Sequence, residues 1–153
     1  MQGVILMLIQ LLPDQIPEFW EDIKYSLEES APPLFIRTQE QLNNILMSLL
    51  AEKMQCWVSV DTEKDPHEIK GVMTSTIIND GISGTRMFLL YSGYSTGEVE
   101  DSFWIEGLKV FKKYAKSKRC KLIGAYSSIP YMKERFAKLG ANLETFGYWV
   151  LED

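Results

Sequence analysis

Residues 87–126 read MFLLYSGYSTGEVEDSFWIEGLKVFKKYAKSKRCKLIGAY, and this stretch decides the fold. It opens on an apolar strand at 87–91 and passes through a loop of Ser, Gly and acids at 92–101. The period then changes. Trp104, Leu108, Phe111 and Ala115 recur at helical spacing, with Glu106, Lys109, Lys112, Lys113 and Lys116 on the other face, so a helix is expected over about 102–116. Residues 121–126 read as a second strand. Strand, helix and strand in this order form a crossover between parallel strands. Gly107 inside the helix costs roughly 1 kcal/mol relative to Ala, and close helix–sheet packing is the expected compensation.

Upstream, residues 3–12 are almost continuously apolar and read as a strand covered on both faces. Ile16, Phe19, Trp20, Ile23 and Leu27 then mark one face of a helix, with Asp14 as its expected cap and Pro17 in its first turn. Ala31, Pro32 and Pro33 break it. Thr38 and Gln41 have capping-box spacing before Leu42, Ile45, Leu46, Leu49 and Leu50. Short strands follow at 56–60 and 71–78, with a turn at Asn79, Asp80 and Gly81. Downstream, Ser128 and Pro130 open a last helix with Met132, Phe136 and Leu139 inward, which Gly140 stops. Residues 143–151 are expected to hold one or two closing strands. The order is β-α-α-β-β-β-α-β-α-β-(β), an α/β mixed sheet expected to form a single domain over 1–153.

Composition limits the function. The chain has 153 residues, 46% hydrophobic and 24% charged, enough for a core and against wholesale disorder. Sixteen Lys and Arg stand against 21 Asp and Glu, a net charge of −5 that argues against a generally cationic nucleic-acid binder. The single histidine, His67, removes every site that needs two imidazoles. Cys56 and Cys120 have no paired spacing and read as buried free thiols. The 4–12 run is too short to span a bilayer and no Lys or Arg precedes it, so no membrane partner is expected. A cytoplasmic or virion-associated place is expected.

The element order, the 102–126 helix–strand pair and the segment Arg135-Phe136-Ala137-Lys138-Leu139-Gly140-Ala141 resemble the GNAT fold of acyl-CoA-dependent N-acetyltransferases. That resemblance implies three site features. The first is a phosphate cradle of the form Gln/Arg-x-x-Gly-x-Gly, where small residues let backbone N–H groups approach a pyrophosphate. The matching positions here are Val99-Glu100-Asp101-Ser102-Phe103-Trp104: Ser102 and Trp104 stand where the glycines would, and Val99 where the signature residue would. No Lys or Arg occurs from 87 to 108, whereas Glu98, Glu100, Asp101 and Glu106 do. The second is a Tyr acid four residues before the Gly of the last helix; Phe136 stands there and has no proton to give. The third is a carboxylate base.

The expectation is therefore a GNAT-like protein with a degraded acyl-CoA site, a binding or structural module with no cofactor expected. Through Leu139-Gly140-Ala141 and Phe103-Trp104 it resembles small GNAT-like proteins of tailed bacteriophages, some associated with virions or their assembly. The alternative is an active N-acetyltransferase using acetyl-CoA. Glu98 would then be the base and Tyr131 a substitute acid, and Leu89, Leu90, Tyr91, Gly97, Ser102 and Phe103 would hold the cofactor. Basic residues gather late in the chain: Lys109, Lys112, Lys113, Lys116, Lys133, Arg135 and Lys138 offer a surface for another protein, with nucleic acid less favoured.

Overall fold

Side-chain alternation along the second strand sets the layers. The computed structural model describes residues 6–63, 68–97 and 99–152. Within them β1 (Leu6–Gln10), β2 (Met54–Asp61), β3 (Glu68–Asn79) and β4 (Arg86–Ser95) pair in sequence order, all antiparallel. β5 (Leu122–Ala125) joins β4 in parallel and closes the order β1-β2-β3-β4-β5. Cys56, Val58 and Val60 of β2 point to one face of this sheet and Trp57 to the other.

The first face is covered by α1 (Ile16–Ser30) and α2 (Gln39–Leu50). Ile16, Ile23, Leu27, Ile45 and Leu49 pack there with Cys56, Val58 and Val72. On the second face lies α3 (Asp101–Ser117), whose Phe111 and Ala115 meet Trp57 and Phe88. Trp57 stands edge-on to Phe111 and Tyr114, with ring centroids 5.1 and 5.2 Å apart, and its Nε1 donates to Ser75 Oγ at 2.9 Å. Each such aromatic pair is worth about 0.5–1.5 kcal/mol beyond its buried area. A last helix, α4 (Pro130–Lys138), follows β5 and has no fully buried residue. The expected α/β fold class and order hold through this helix.

Local chemistry explains the boundaries. Thr38 Oγ1 accepts the Gln41 N–H at 3.1 Å, half of the expected capping box. The other half is redirected: Gln41 Oε1 accepts from the Ile36 N–H at 2.6 Å. Asp80 turns the β3–β4 hairpin, accepting the Ile82 N–H at 3.0 Å and the Ser83 hydroxyl at 2.8 Å, and these bonds hold its carboxyl below the usual range. Gly140 has φ +87°; the Gly140 N–H bonds Ala137 O and the Ala141 N–H bonds Phe136 O, each at 3.0 Å, closing α4 as a Schellman motif.

Four expectations are corrected. β1 is an edge strand, and Met7 and Ile9 face solvent rather than a covering layer. Asp14 does not cap α1: it lies in a 3-10 turn, Pro13–Gln15, in which Gln15 Oε1 accepts the Leu12 N–H at 2.8 Å. Gly107 is buried, but a Cβ built on it would meet nothing within 4 Å, so close packing does not explain it. Residues 143–151 form no paired strand, and their side chains are exposed.

Candidate functional site

β4 and β5 pair from Met87↔Leu122 to Leu90↔Ala125, and β4 alone continues to Ser95. Beyond Leu90 the pairing stops, because β5 ends at Ala125 and leaves this edge of β4 without a strand. The β3–β4 register skips from Thr74↔Ser92 to Ser75↔Leu90, which leaves Tyr91 as the extra residue of a bulge. A bulge reverses alternation, so Ser92 and Tyr94 turn to the face carrying α1. A buried hydroxyl chain forms there. Ser26 Oγ donates to Ile23 O at 2.8 Å, which makes it the acceptor for Ser92 Oγ at 3.1 Å; Thr74 Oγ1 in turn lies 2.5 Å from Ser92 Oγ.

One turn further along α1, Ser30 reaches the β4 backbone. Its Oγ accepts the Gly93 N–H at 2.7 Å, and its single proton is shared between Gly93 O at 2.8 Å and Ser26 O at 3.0 Å. Ser30 also lines a cavity of about 160 Å³ between the end of α1 and the segment that follows β5. Glu29 and Arg37 border it from the α1–α2 side, and Tyr126, Ser127 and Tyr148 from beyond β5. Arg37 is pinned in the left-handed region (φ 63°), its guanidinium donating to Glu28 O at 2.9 Å and Phe35 O at 3.3 Å.

At the start of α3, Glu100 takes the cap position and its carbonyl accepts the Phe103 N–H at 3.0 Å. Asp101 is paired with Arg135, which α4 delivers from across the loop. The expectation that this helix end lacks a cation is therefore corrected: the cation comes from 34 residues downstream in sequence, at Arg135. Its guanidinium also donates to Tyr131 Oη and stands 5.1 Å from that ring. Two buried donors at this end, Trp104 Nε1 and Arg135 Nε, have no acceptor among the described residues.

The candidates named from the sequence fall as follows. Leu89 and Leu90 sit on the last paired rungs of β4, opposite Gly124 and Ala125. Tyr91 is the bulge residue, and burial pushes its phenol up from its ordinary pKa. Gly97 adopts φ +81° and its carbonyl accepts from Ser95 Oγ at 3.3 Å. Ser102 and Phe103 lie in the first turn of α3, Ser102 exposed and Phe103 half-buried. Tyr131 is half exposed on the first turn of α4. Glu98 and His67 lie outside the described residues. Lys109, Lys112, Lys113, Lys116, Lys133 and Lys138 are exposed, but Arg135 is turned inward and does not belong to that surface. Sequence reasoning missed Ser26, Ser30, Arg37 and Tyr148. Periodicity names faces of helices, and it gives no signal for a hydroxyl that reaches a strand 63 residues away.

No family model matches the sequence, and no curated protein does. Solved structures do match the fold. An aminoglycoside acetyltransferase from an uncultured soil metagenomic sample superposes with a TM-score of 0.70 at 11% identity, over 97% of this chain and 99% of that one. An aminoglycoside N-acetyltransferase in complex with CoA gives 0.69 at 10% identity, over 99% and 97%. A predicted acetyltransferase with acetyl-CoA from Clostridium acetobutylicum gives 0.68 at 15% identity, over 97% and 96%. The chain therefore has the GNAT acetyltransferase fold. Among the described residues, no helix is long and apolar enough to cross a membrane.

Proposed function

We propose that this chain uses the GNAT fold as a binding or structural module and not for turnover of acyl-CoA. The observation that carries the reading is Ser30 on Gly93. An acyl-CoA arm laid along the unpaired edge of β4 would bond to main-chain groups such as the N–H and C=O of Gly93, and here both face a hydroxyl of the chain's own α1. Two further features support it. The start of α3 carries Glu100 and Asp101, and its one inward cation, Arg135, is neutralised by Asp101. Phe136 stands where the resemblance calls for a proton donor. These residues do not fit a CoA chain. The partner in this reading is another protein, met by the exposed lysines of α3 and α4. A phage virion or assembly component, virion-associated or cytoplasmic, is its most specific version.

Calorimetric titration with acetyl-CoA tests it. The expected result is no saturable heat into the high micromolar range; a micromolar dissociation constant overturns the reading.

A second reading has its own observation. Trp104 Nε1 and Arg135 Nε are buried donors without acceptors in the region where α3 begins, and a phosphate oxygen would satisfy either. An active acetyltransferase on this scaffold would use acetyl-CoA, with Glu98 as base and Tyr131 as acid. Acetyl transfer to a panel of amines, lost in Tyr131→Phe, would establish it. Absence of turnover with every amine would remove it.

A further inference from the structure

Charge in this molecule is sorted by layer. Residues 102–121 carry seven Lys and Arg and one acid, Glu106. Lys109, Lys112, Lys113 and Lys116 recur at i, i+3, i+4 and i+7, a stripe about 10 Å long on the face of α3 turned away from the sheet. Lys118, Arg119 and Lys121 follow at the helix end, and all seven cations are exposed. Among the described residues, only Lys109 of these has an ion-pair partner, Glu106 at 3.1 Å. A face that serves solubility alone mixes both signs, and this one does not.

The layer on the other side of the sheet has the opposite sign. Residues 13–50, which hold α1 and α2, carry seven acids against Lys24 and Arg37. Glu18, Glu21, Glu28 and Glu29 are exposed along about 16 Å of α1. Lys24 pairs with Glu21 at 2.8 Å and Arg37 is turned to main-chain carbonyls, so neither cancels the remaining acids. Each face also has an apolar centre. Tyr25, 50% exposed, stands among the acids of α1 and is held edge-on to Tyr94 with centroids 4.8 Å apart. Ile105 and Val110, 47 and 40% exposed, stand among the lysines of α3. An apolar anchor inside a charged rim is the anatomy of a protein–protein contact.

We infer that the basic face of α3 docks the acidic face of α1 on a second copy of this chain. Charge complementarity selects this occupant, and like charge opposes any contact of α3 with α3 or of α1 with α1. The contact is therefore head-to-tail. The two faces lie on opposite sides of one sheet, so a copy engaged through its lysines still offers its acids, and association does not close at two chains. The inference names the partner within the binding-module reading and rests on that reading.

Sedimentation velocity from low micromolar to several hundred micromolar chain tests it. The expected result is an average mass that rises past that of a dimer with concentration, and an association at least tenfold weaker at about 500 mM than at about 50 mM salt. Two neutralised variants supply the deciding arm. Lys112→Gln with Lys113→Gln and Lys116→Gln removes the basic face; Glu18→Gln with Glu28→Gln and Glu29→Gln removes the acidic one. All six positions are exposed, so both variants should keep the wild-type circular dichroism spectrum. Each alone should self-associate at least tenfold more weakly than the wild type. Mixed, they should form a one-to-one complex that stops at two chains, because each retains one working face. A wild type that stays monomeric at every concentration overturns the inference, whether or not its lysines then bind a DNA duplex. A wild-type mass that saturates at two chains, a variant that associates as the wild type does, or a mixture no heavier than its parts overturns it equally. None of these outcomes bears on acetyl-CoA, whose titration decides the binding-module reading by itself.

Discussion

At the residue scale, Ser30 ties α1 to the edge of β4. Its hydroxyl accepts the Gly93 N–H and reaches Gly93 O, so Ser30→Ala takes a partner from two part-buried main-chain groups. The expected cost is about 1–3 kcal/mol in urea denaturation, since an unsatisfied buried group is penalised by its desolvation. A loss under 0.5 kcal/mol would mean that water replaces the hydroxyl at no cost, and that the strand edge is open. A second residue gives a pH dependence. Burial pushes the Cys56 thiol up from 9.0 to about 12. The folded chain holds this proton more tightly than the unfolded chain does. The stability gained is complete below the unfolded value of 9.0 and is lost as pH rises toward about 12. Unfolding free energies measured between these limits should fall more steeply for the wild type than for Cys56→Ala. Below pH 9 the Cys56 thiol should resist modification in the native protein.

Helices and strands carry the next set of consequences. Gly107 lies inside α3 with open space where a Cβ would stand. Gly107→Ala should therefore stabilise the protein by about 0.5–1 kcal/mol through helix propensity alone, measured by thermal or urea unfolding. Destabilisation would mean that α3 lies closer to the sheet than described. Gly71 gives the opposite case. A Cβ there would stand 2.8 Å from Ser59 Oγ and 2.9 Å from the Tyr94 carbonyl oxygen, and backbone cannot step aside cheaply. Gly71→Ala should cost about 1–3 kcal/mol by overpacking.

Elements also show where sequence reading stops. The helical stripes of α1, α2 and α3 and the strands of the meander were legible, because burial on one face imposes a period on the sequence. The β4 bulge was not legible, since a single extra residue at Tyr91 leaves no mark in an apolar run. Arg135 read as one more lysine-like charge on an outer face. Only the fold, by bringing the last turn of α4 to the start of α3, makes it the counter-ion of Asp101. The apolar pattern of residues 143–151 read as closing strands, but the structure leaves these residues unpaired and exposed.

For the whole molecule, the proposed function separates fold from activity. The fold is shared with acetyltransferases at 10–15% identity, a level at which residues in the site are free to differ. The chemistry on which the proposal rests is a serine on the β4 edge, carboxylates at the start of α3 and a phenylalanine in α4. The net charge of −5 conceals this division, because acids collect at the start of α3 while lysines collect on the outer faces of α3 and α4. The most direct measurement is thermal unfolding with and without millimolar acetyl-CoA. A ligand held at 100 times its dissociation constant adds about 2.7 kcal/mol to stability. For a chain of this size that raises Tm by roughly 5–10 °C. The account predicts a change under about 1 °C, within the scatter of such measurements. A rise of several degrees that saturates with ligand would contradict it and return this fold to acyl-CoA chemistry.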